Sequence, residues 1–285
     1  MGEQKRTALV TGASSGMGRE TAVKLAERGF EVIAAARRLD RLDALADQFP
    51  GITPRQVDLS LPEETETFCS YISELSSPIS VLVNNAGYSI RGALEDISLD
   101  AAKRLFEVNV FALIRVTQAC LPGMRKQRSG TIVNLSSIVG KFTFPASGVY
   151  AATKHAVEAI TDSLRMEVAP FGIRVVAIRP GPIATEFNEV ANELTGDLMG
   201  RTAEDYKPVY AAAGGATGKM FAGLSVPGPE LIADLIVEAI LSDSPKPVYE
   251  AGPFSEEILG RRCDLDDESF HGFMMEKFAL KGLRV

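Results

Sequence analysis

The chain of 285 residues has no tryptophan, only two histidines and only three cysteines. Cys69, Cys120 and Cys263 show no paired spacing, which argues against a disulfide framework or a zinc site and indicates a reducing compartment. No apolar stretch reaches eighteen residues, so we expect no membrane span. The net charge of −7 gives no reason to expect nucleic acid or an anionic membrane as a partner.

The first six residues, Met1 to Arg6, do not resemble a signal peptide. Arg6 stands where a myristoylation signal would have Ser or Thr, so we expect a cytoplasmic protein. With 46% apolar and 24% charged residues, the composition is that of an ordinary globular chain. Strand and helix patterns alternate without a linker to about residue 250, which predicts one catalytic domain over 1–254 and a tail over 255–285.

A glycine-rich segment, Thr11 to Gly18, joins an apolar run predicted as a buried strand to an apolar helical stripe. This order is the context of a phosphate-binding loop, because glycines permit close backbone approach and the helix N-terminus offers free N–H groups. The alternative is an ordinary strand-to-helix turn. Three glycines stand in the expected frame, which favours a nucleotide site formed by Gly12, Ser14, Ser15, Gly16, Met17 and Gly18.

Residues 12–16 also match G-x-S-x-G, the nucleophile elbow of serine hydrolases, with Ser14 as the nucleophile. A hydrolase needs a histidine base, and the chain offers only His155 and His271. His155 follows Lys154 on a predicted helix, and His271 lies in a C-terminal segment rich in aromatic and charged residues. The hydrolase hypothesis is therefore the weaker of the two.

The second predicted strand, 31–36, ends without a carboxylate. At this point of a dinucleotide-binding unit an Asp or Glu binds the ribose 2′-OH, whereas here Ala36 is followed by Arg37. The planar fork of Arg37 suits a 2′-phosphate, which favours NADP(H) over NAD(H). The alternative is a solvated basic helix start, since Arg38 and Arg41 follow.

The next two predicted strands also end in polar residues. Residues 52–57 lead into Asp58 and Leu59, where Asp58 suits either a hydrogen bond from an adenine amino group or a cap of the following helix. Residues 79–83 run into Asn84-Asn85-Ala86-Gly87, which suits close approach to a cofactor ring and equally suits a plain turn.

Tyr150 and Lys154 lie four residues apart, so on a helix they share one face. A free tyrosine titrates near pH 10, and a neighbouring cation lowers that pKa by favouring the phenolate. A tyrosine acid or base needs such a shift. The pairing is common on helices, so its meaning depends on the other motifs.

Taken together, these motifs resemble the short-chain dehydrogenase/reductase family. The resemblance rests on 11–18, Asn84 to Gly87, Asn109, Ser137, Tyr150 with Lys154, and Pro180-Gly181, and it covers residues 5 to 190 strongly. Met17 replaces the more usual isoleucine. The resemblance implies an α/β fold with a Rossmann-type doubly wound parallel sheet of about seven strands flanked by helices, and a nicotinamide cofactor.

The resemblance also implies roles for single residues. Ser137 would hold the substrate oxygen, Tyr150 would exchange a proton with it, and Lys154 would lower the tyrosine pKa and bind the nicotinamide ribose. Asn109 would reach Lys154 through a water. The implied cofactor-binding residues are Gly12, Ser14, Ser15, Gly16, Met17, Gly18, Arg37, Asp58, Leu59, Asn85, Ala86, Gly87, Tyr150, Lys154, Pro180, Gly181, Ile183 and Thr185. Taken singly, Asn109 and Ser137 also suit the plainer role of hydrogen-bonded polar residues.

Residues 181–228 form a long connection between a predicted strand and a predicted helix. Connections of this length are commonly functional lids, and Gly214, Gly215 and Gly218 are candidate hinges. Its aromatic residues and the segment 142–145 predict an apolar pocket, and hence a bulky apolar alcohol or ketone as substrate. The chain resembles most the steroid- and retinol-dehydrogenase-like branch of the family.

The predicted helices 99–125 and 150–168 are apolar over much of their surface, so most of that surface must be buried. The family commonly pairs subunits through these two helices, which implies a homodimer or homotetramer. The alternative is burial under the chain's own tail. For residues 255–285, packing over the substrate side and packing against a partner are both open.

Overall fold

A computed structural model describes residues 6–199 and 204–285, with side chains described except at 195–203; the segment Met1 to Lys5 and part of the predicted lid lie outside the described residues. The strands are β1 (Thr7–Thr11), β2 (Glu31–Ala36), β3 (Ile52–Gln56), β4 (Val81–Asn84), β5 (Gly130–Leu135), β6 (Ile173–Pro180) and β7 (Val248–Ala251). The helices are α1 (Gly16–Glu27), α2 (Leu39–Gln48), α3 (Pro62–Glu74), α4 (Leu99–Phe106), α5 (Ala112–Gln127), α6 (Gly148–Val168), α7 (Phe187–Met199), α8 (Lys207–Phe221), α9 (Glu230–Leu241), α10 (Ser255–Asp264) and α11 (Asp267–Lys277).

The seven strands form one sheet in the order β3-β2-β1-β4-β5-β6-β7, and every neighbouring pair is parallel. The strand order reverses between β1 and β4, where Val10 pairs with Val83. In sheets of this kind ligands bind beyond the carboxyl ends of the strands at such a switch point. The predicted α/β Rossmann-type sheet is therefore confirmed.

Helices cover both faces of the sheet, which is why its central strands are continuously apolar. Successive residues of β1 point to opposite faces, so Val10 belongs to the core under α1, α2 and α9, and Leu9 to the core under α3, α5 and α6. This alternation gives each face a core of branched aliphatic side chains. The cores hold the carboxyl edge of the sheet in a fixed geometry.

One helical stretch among the described residues, Leu99–Gln127, is long and apolar enough to cross a membrane by length and composition alone. Leu105, Val116 and Met124 within it are completely buried in the folded chain, which is the pattern of a core helix. Residues Glu107–Phe111 form a single π-helical turn between α4 and α5. Such turns are frequent at functional sites.

The connection over 181–228 was predicted as a lid. In the structure it contains two helices, α7 and α8. Gly214, Gly215 and Gly218 lie inside α8, so their prediction as hinges is wrong. Glycine lowers helix propensity by only about 1 kcal/mol per residue, and packing of the surrounding helix outweighs that cost. Burial of Ala213 among residues of the tail shows this packing.

The tail forms α10 and α11, and it packs over the carboxyl edge of the sheet. Ile258 and Phe270 from these helices share a buried cluster with Val139 and Phe142, and Tyr150 packs against the same cluster. The chain's own tail therefore covers this edge, and packing of the tail against a partner stays a prediction.

Candidate active site

The glycine-rich loop and the segment after β4 are held together by Thr11. Its hydroxyl oxygen accepts hydrogen bonds from the backbone N–H groups of Asn85 and Ala86, both at 3.0 Å. The Asn85 side chain donates in return to the Thr11 carbonyl at 2.9 Å. The two predicted cofactor segments therefore form one rigid unit at the switch point.

Close packing explains the glycines of this loop. Gly12 has a φ of 68°, and a Cβ there would lie 2.8 Å from Asn85 Nδ2. A Cβ on Gly18 would overlap Asn85 Nδ2 and the Gly12 carbonyl oxygen. Side chains are therefore excluded where the loop turns into α1, and Met17 instead packs into the core beside that helix. A tight glycine turn at a helix N-terminus is the geometry of a pyrophosphate-binding loop.

Arg38 contacts the glycine-rich loop, and the role of Arg37 at a 2′-phosphate stays a prediction. The Arg38 Nε and Nη2 atoms lie 3.2 Å from Ser14 Oγ, and Nη2 donates to Ser15 Oγ at 2.7 Å. The Arg37 side chain is 71% exposed and lies 4.0 Å from Asp58 Oδ2. The sequence pattern placed both arginines at the end of β2, but only the fold shows which one turns back to the loop.

These contacts also bear on the hydrolase alternative. Within the described part of the chain, the hydrogen bonds of the Ser14 hydroxyl are those with Arg38. The His155 Nδ1 atom lies 2.9 Å from the Ala151 carbonyl oxygen on α6, and His271 lies on α11. Neither histidine is placed as a base for Ser14.

Asp58 and Leu59 lie in the turn before α3. Asp58 Oδ1 accepts hydrogen bonds from the backbone N–H and the hydroxyl of Ser60, at 2.9 and 2.7 Å. The Asp58 N–H donates to Glu64 Oε2 at 2.8 Å. Leu59 is buried in the core. Asp58 does not cap α3, because the N-cap residue of that helix is Leu61 and has no side-chain cap hydrogen bond. The interaction of Asp58 with an adenine group stays a prediction.

Ser137 and Tyr150 meet at the carboxyl edge of the sheet. Ser137 follows β5, and its hydroxyl accepts from the Val139 N–H at 3.3 Å and donates to the Pro180 carbonyl at 3.4 Å. The Ser137 side chain also acts on the Tyr150 phenol, whose pKa it lowers. Two groups predicted from separate motifs therefore lie close enough to interact.

Burial raises the pKa of Tyr150 to about 12, against the smaller lowering effects of the Ser137 hydrogen bond and the Arg91 charge. Lys154 is not among the groups that shift the pKa of Tyr150 in this structure, and its predicted lowering of that pKa stays a prediction. The Lys154 Nζ atom lies 5.9 Å from the centre of the Tyr150 ring and donates to the Leu135 carbonyl at 2.8 Å. The ammonium group is thus directed towards the β5 backbone.

Lys154 is only 6% exposed, and burial lowers its pKa to about 8, although the charge of Glu158 opposes that shift. Glu158 lies one helical turn beyond Lys154 and is bound by both ends of the Arg179 guanidinium, at 2.9 and 2.6 Å. The sequence analysis missed this pair. The i, i+4, i+8 spacing of Tyr150, Lys154 and Glu158 is the signal that could have revealed it.

Asn109 lies in the π-helical turn rather than in regular helix. Its amide donates to the Tyr88 carbonyl at 3.0 Å and to the Thr153 hydroxyl at 3.1 Å, and its oxygen accepts from the Tyr88 N–H at 3.1 Å. A Cβ on Gly87 would lie 3.0 Å from Asn109 Oδ1 and 3.7 Å from Lys154 Nζ. Because Gly87 has no side chain, its backbone can lie close to Asn109 and Lys154.

The segment after β6 crosses the same edge. Gly181 donates to the Ala251 carbonyl at 2.7 Å, and a side chain there would overlap the Pro253 carbonyl oxygen. Ile183 is buried in the core. Thr185 lies over the glycine-rich loop, because a Cβ on Gly16 would be 3.2 Å from its methyl group. The Pro180 carbonyl accepts a hydrogen bond from the Ser137 hydroxyl. This segment therefore borders both the catalytic candidates and the glycine-rich loop.

One aromatic residue, Phe187 at the start of α7, and one basic residue, Arg91, lie near Tyr150. The Phe187 ring lies 5.8 Å from the Tyr150 ring. Arg91 donates to Asn188 Oδ1 at 3.1 Å, which ties the segment after β4 to α7. Arg91 was not predicted, because a single arginine in a loop has no distinctive sequence signal. An adjacent cavity of about 330 Å³ is lined by residues including Phe144, Val149, His271, Met274 and Leu280.

This sheet and its glycine-rich loop define a Rossmann-type α/β protein, and the comparisons with known proteins agree. A family model described as short chain dehydrogenase matches residues 6–195. The chain is 33% identical to retinol dehydrogenase 8 of Homo sapiens over 256 residues, covering 86% of this chain and 81% of that protein.

Two solved structures are also similar. A short-chain dehydrogenase from Streptomyces avermitilis superposes with a TM-score of 0.79 at 30% identity, over 99% of each chain. A short-chain dehydrogenase from Sphingobium yanoikuyae in complex with NADPH gives a TM-score of 0.73 at 27% identity, over 95% of this chain and 96% of that one. The chain belongs to the short-chain dehydrogenase family and is an oxidoreductase of that family. Its similarity to retinol dehydrogenase 8 agrees with the predicted branch.

Proposed function

We propose that this protein transfers a hydride between NADP(H) and an alcohol or carbonyl substrate, with Asn109, Ser137, Tyr150 and Lys154 as the catalytic set. The observation that supports it most is the position of the Ser137 side chain beside the Tyr150 phenol at the carboxyl edge of the sheet, with Lys154 one helical turn away. Two adjacent hydroxyl groups can bind one substrate oxygen between them, which positions it and provides a proton route.

The residues at this edge fit a dinucleotide. Gly12, Gly16 and Gly18 leave room for a pyrophosphate at the start of α1, and Gly87 leaves room beside Asn109 and Lys154. The remaining residues that would hold the cofactor are Ser14, Ser15, Asn85, Ala86, Pro180, Gly181, Ile183 and Thr185. When bound, the nicotinamide supplies or accepts the hydride. The contribution of the protein is to orient the substrate and move a proton.

Tyr150 carries that proton. Because burial raises its pKa to about 12, the phenol is protonated at neutral pH and is ready to donate to a nascent alkoxide during carbonyl reduction. Ser137 holds the same oxygen by a hydrogen bond. Lys154, whose pKa is about 8, keeps most of its charge at neutral pH and would bind ribose hydroxyls beside the phenol.

Preference for NADP(H) is supported by two arginines at the end of β2. Arg38 reaches Ser14 and Ser15, and Arg37 is exposed and can turn towards a 2′-phosphate from the other side. No carboxylate stands at the end of β2, where one would bind a ribose 2′-OH. The related Sphingobium yanoikuyae structure contains NADPH.

A bulky apolar substrate is supported by the side chains around Tyr150. Phe187 lies against its ring, and Val139 and Phe142 belong to the apolar cluster on the same side. The related human protein is named retinol dehydrogenase 8. In this proposal residues 1–254 form the catalytic domain, including the lid 181–228, and residues 255–285 form an extension that covers the apolar side.

Two further parts of the proposal concern assembly and location. Leu99, Phe111 and Met166 are large apolar side chains exposed on the helices predicted for subunit pairing. Exposed apolar residues on adjacent helices support a homodimer or homotetramer built through these helices. We also propose a cytoplasmic location, consistent with three unpaired cysteines.

The test is oxidation of NADPH, followed by absorbance, with a panel of ketones, aldehydes, steroids and quinones. Y150F should lower turnover by at least about 10²-fold, since the proton donor is removed. Binding of NADPH, measured by calorimetry, should stay close to that of the unmodified protein. Y71F, which removes a hydroxyl on α3, is the matched control. Near-normal turnover of Y150F would refute the assigned role.

A further inference from the structure

Glu186 makes two ion pairs with arginines that follow β2. One carboxylate oxygen lies 2.8 Å from Arg38 Nη1, and the other lies 2.6 Å from Arg41 Nη1. These two arginines hold the pKa of Glu186 below its usual value, so the carboxylate is ionised at neutral pH. A negative group is thus held between two cations beside the loop.

The position of this carboxylate is specific. Arg38 uses its other nitrogen atoms to bind Ser14 and Ser15 of the glycine-rich loop. Arg38 also follows the end of β2, which is where dinucleotide-binding folds recognise the 2′ position of the adenosine ribose. Glu186 therefore occupies Nη1 of a guanidinium whose other nitrogen atoms bind the glycine-rich loop.

Glu186 also belongs to the segment that leads to the catalytic tyrosine. Its carbonyl accepts from the Val190 N–H at 3.0 Å in the first turn of α7. The preceding residue, Thr185, lies over Gly16, and the following residue, Phe187, contacts the Tyr150 ring. Movement of the Glu186 carboxylate would therefore be passed through Thr185 to the glycine-rich loop and through Phe187 to Tyr150.

We propose that Glu186 is a cofactor-specificity residue whose carboxylate competes with the 2′-phosphate of NADP(H) for Arg38 and Arg41. The inference rests on the proposed use of NADP(H). A phosphate group carries more negative charge than a carboxylate and has three acceptor oxygens, so it displaces Glu186 from the two guanidinium groups. The 2′-hydroxyl of NAD(H) has no such charge and leaves the ion pairs intact. Glu186 thereby lowers the affinity for NADP(H) relative to NAD(H), because only the 2′-phosphate has to displace an internal anion.

The test is calorimetric binding of 2′,5′-ADP and of 5′-AMP to the full-length protein at low ionic strength, where exposed charges are least screened. E186Q removes the competing charge and keeps the shape of the side chain. Because exposed ion pairs are individually weak, we expect E186Q to bind 2′,5′-ADP about three- to tenfold more tightly, with 5′-AMP binding unchanged. E189Q makes the same chemical change on the exposed side of α7 and should match the unmodified protein.

The outcomes separate this inference from the cofactor assignment. If the unmodified protein prefers 2′,5′-ADP but E186Q binds it with equal or lower affinity, the inference is overturned and NADP(H) preference stands. A parallel gain in 5′-AMP affinity would also overturn it, because the effect would not depend on the phosphate. If 2′,5′-ADP binds no better than 5′-AMP to the unmodified protein, both proposals fall. R38Q should weaken 2′,5′-ADP binding by at least about tenfold, since it removes a charged phosphate contact.

Discussion

Lys154 is a buried cation, and the free energy that it costs can be measured. Burial lowers its pKa from the usual 10.5 to about 8. The difference corresponds to about 3 kcal/mol by which the folded chain disfavours the charged form. We therefore expect K154M, which keeps the length and apolar stem of the side chain, to be more stable than the unmodified protein at neutral pH. Its catalytic activity should be lost, so stability and function would move in opposite directions.

The pH dependence follows from protonation in the two states. Below the folded pKa of about 8, both the folded and the unfolded chain carry the proton, so the full cost of the buried charge is present. Between about 8 and 10.5 the folded chain has released the proton and the unfolded chain has not, so the cost decreases as the pH rises. K154M also loses the hydrogen bond to the Leu135 carbonyl, worth about 1 kcal/mol.

The net expectation is a stabilisation of about 2 kcal/mol at neutral pH that disappears, or reverses slightly, near pH 10.5. Urea unfolding of both proteins without added cofactor, at several pH values, measures this difference directly. K126M removes an exposed lysine from α5 and should change stability by less than about 0.5 kcal/mol at every pH. A less stable K154M at neutral pH, or a difference that does not vary with pH, would show that the cost of the buried charge has been misjudged.

Two further predictions concern residues outside the proton-transfer pair. E158Q should destabilise the protein by about 3 kcal/mol in urea unfolding, because it breaks the buried ion pair with Arg179 and leaves that cation paired with Glu250. A change below about 0.5 kcal/mol would mean that the ion pair between Glu158 and Arg179 does not stabilise the fold. G214A should stabilise the protein by about 0.5–1 kcal/mol, because Gly214 lies in α8 and a Cβ there meets no atom within 4 Å. Its turnover with the best carbonyl substrate should stay unchanged, and a large loss of turnover would restore the hinge hypothesis.

The central strands were predictable because each carries a run of apolar residues between turn signals. The predicted strand 31–36 coincides with β2, and the predicted strands 52–57 and 79–83 differ from β3 and β4 by one or two residues at their ends. Parallel strands buried on both faces must be apolar throughout, so their signal is strong and local. The motifs at their carboxyl ends were visible for the same reason, since each follows directly from a strand.

The helices in the connection 181–228 were not predictable from local pattern. Three glycines in α8 lower its helix propensity, and its apolar residues face the tail rather than the sheet. The packing that stabilises α8 comes from residues more than forty positions further along the chain, such as Ile258 and Phe270. Contacts of this kind have no signature within a window of the sequence.

The amino-acid sequence by itself determined which chemical groups follow which strand: glycines after β1, an arginine pair after β2, Asn85 after β4, and a serine after β5. Parallel strands bring their carboxyl ends to one edge of the sheet, so this order was enough to predict that these groups lie together at that edge. Only the tertiary structure decided how those groups behave. Burial raises the pKa of Tyr150 and lowers that of Lys154, and the path of the chain turns Arg38 towards the loop and Arg37 away. Both outcomes depend on desolvation and on distances between residues far apart in the chain, which no local pattern encodes.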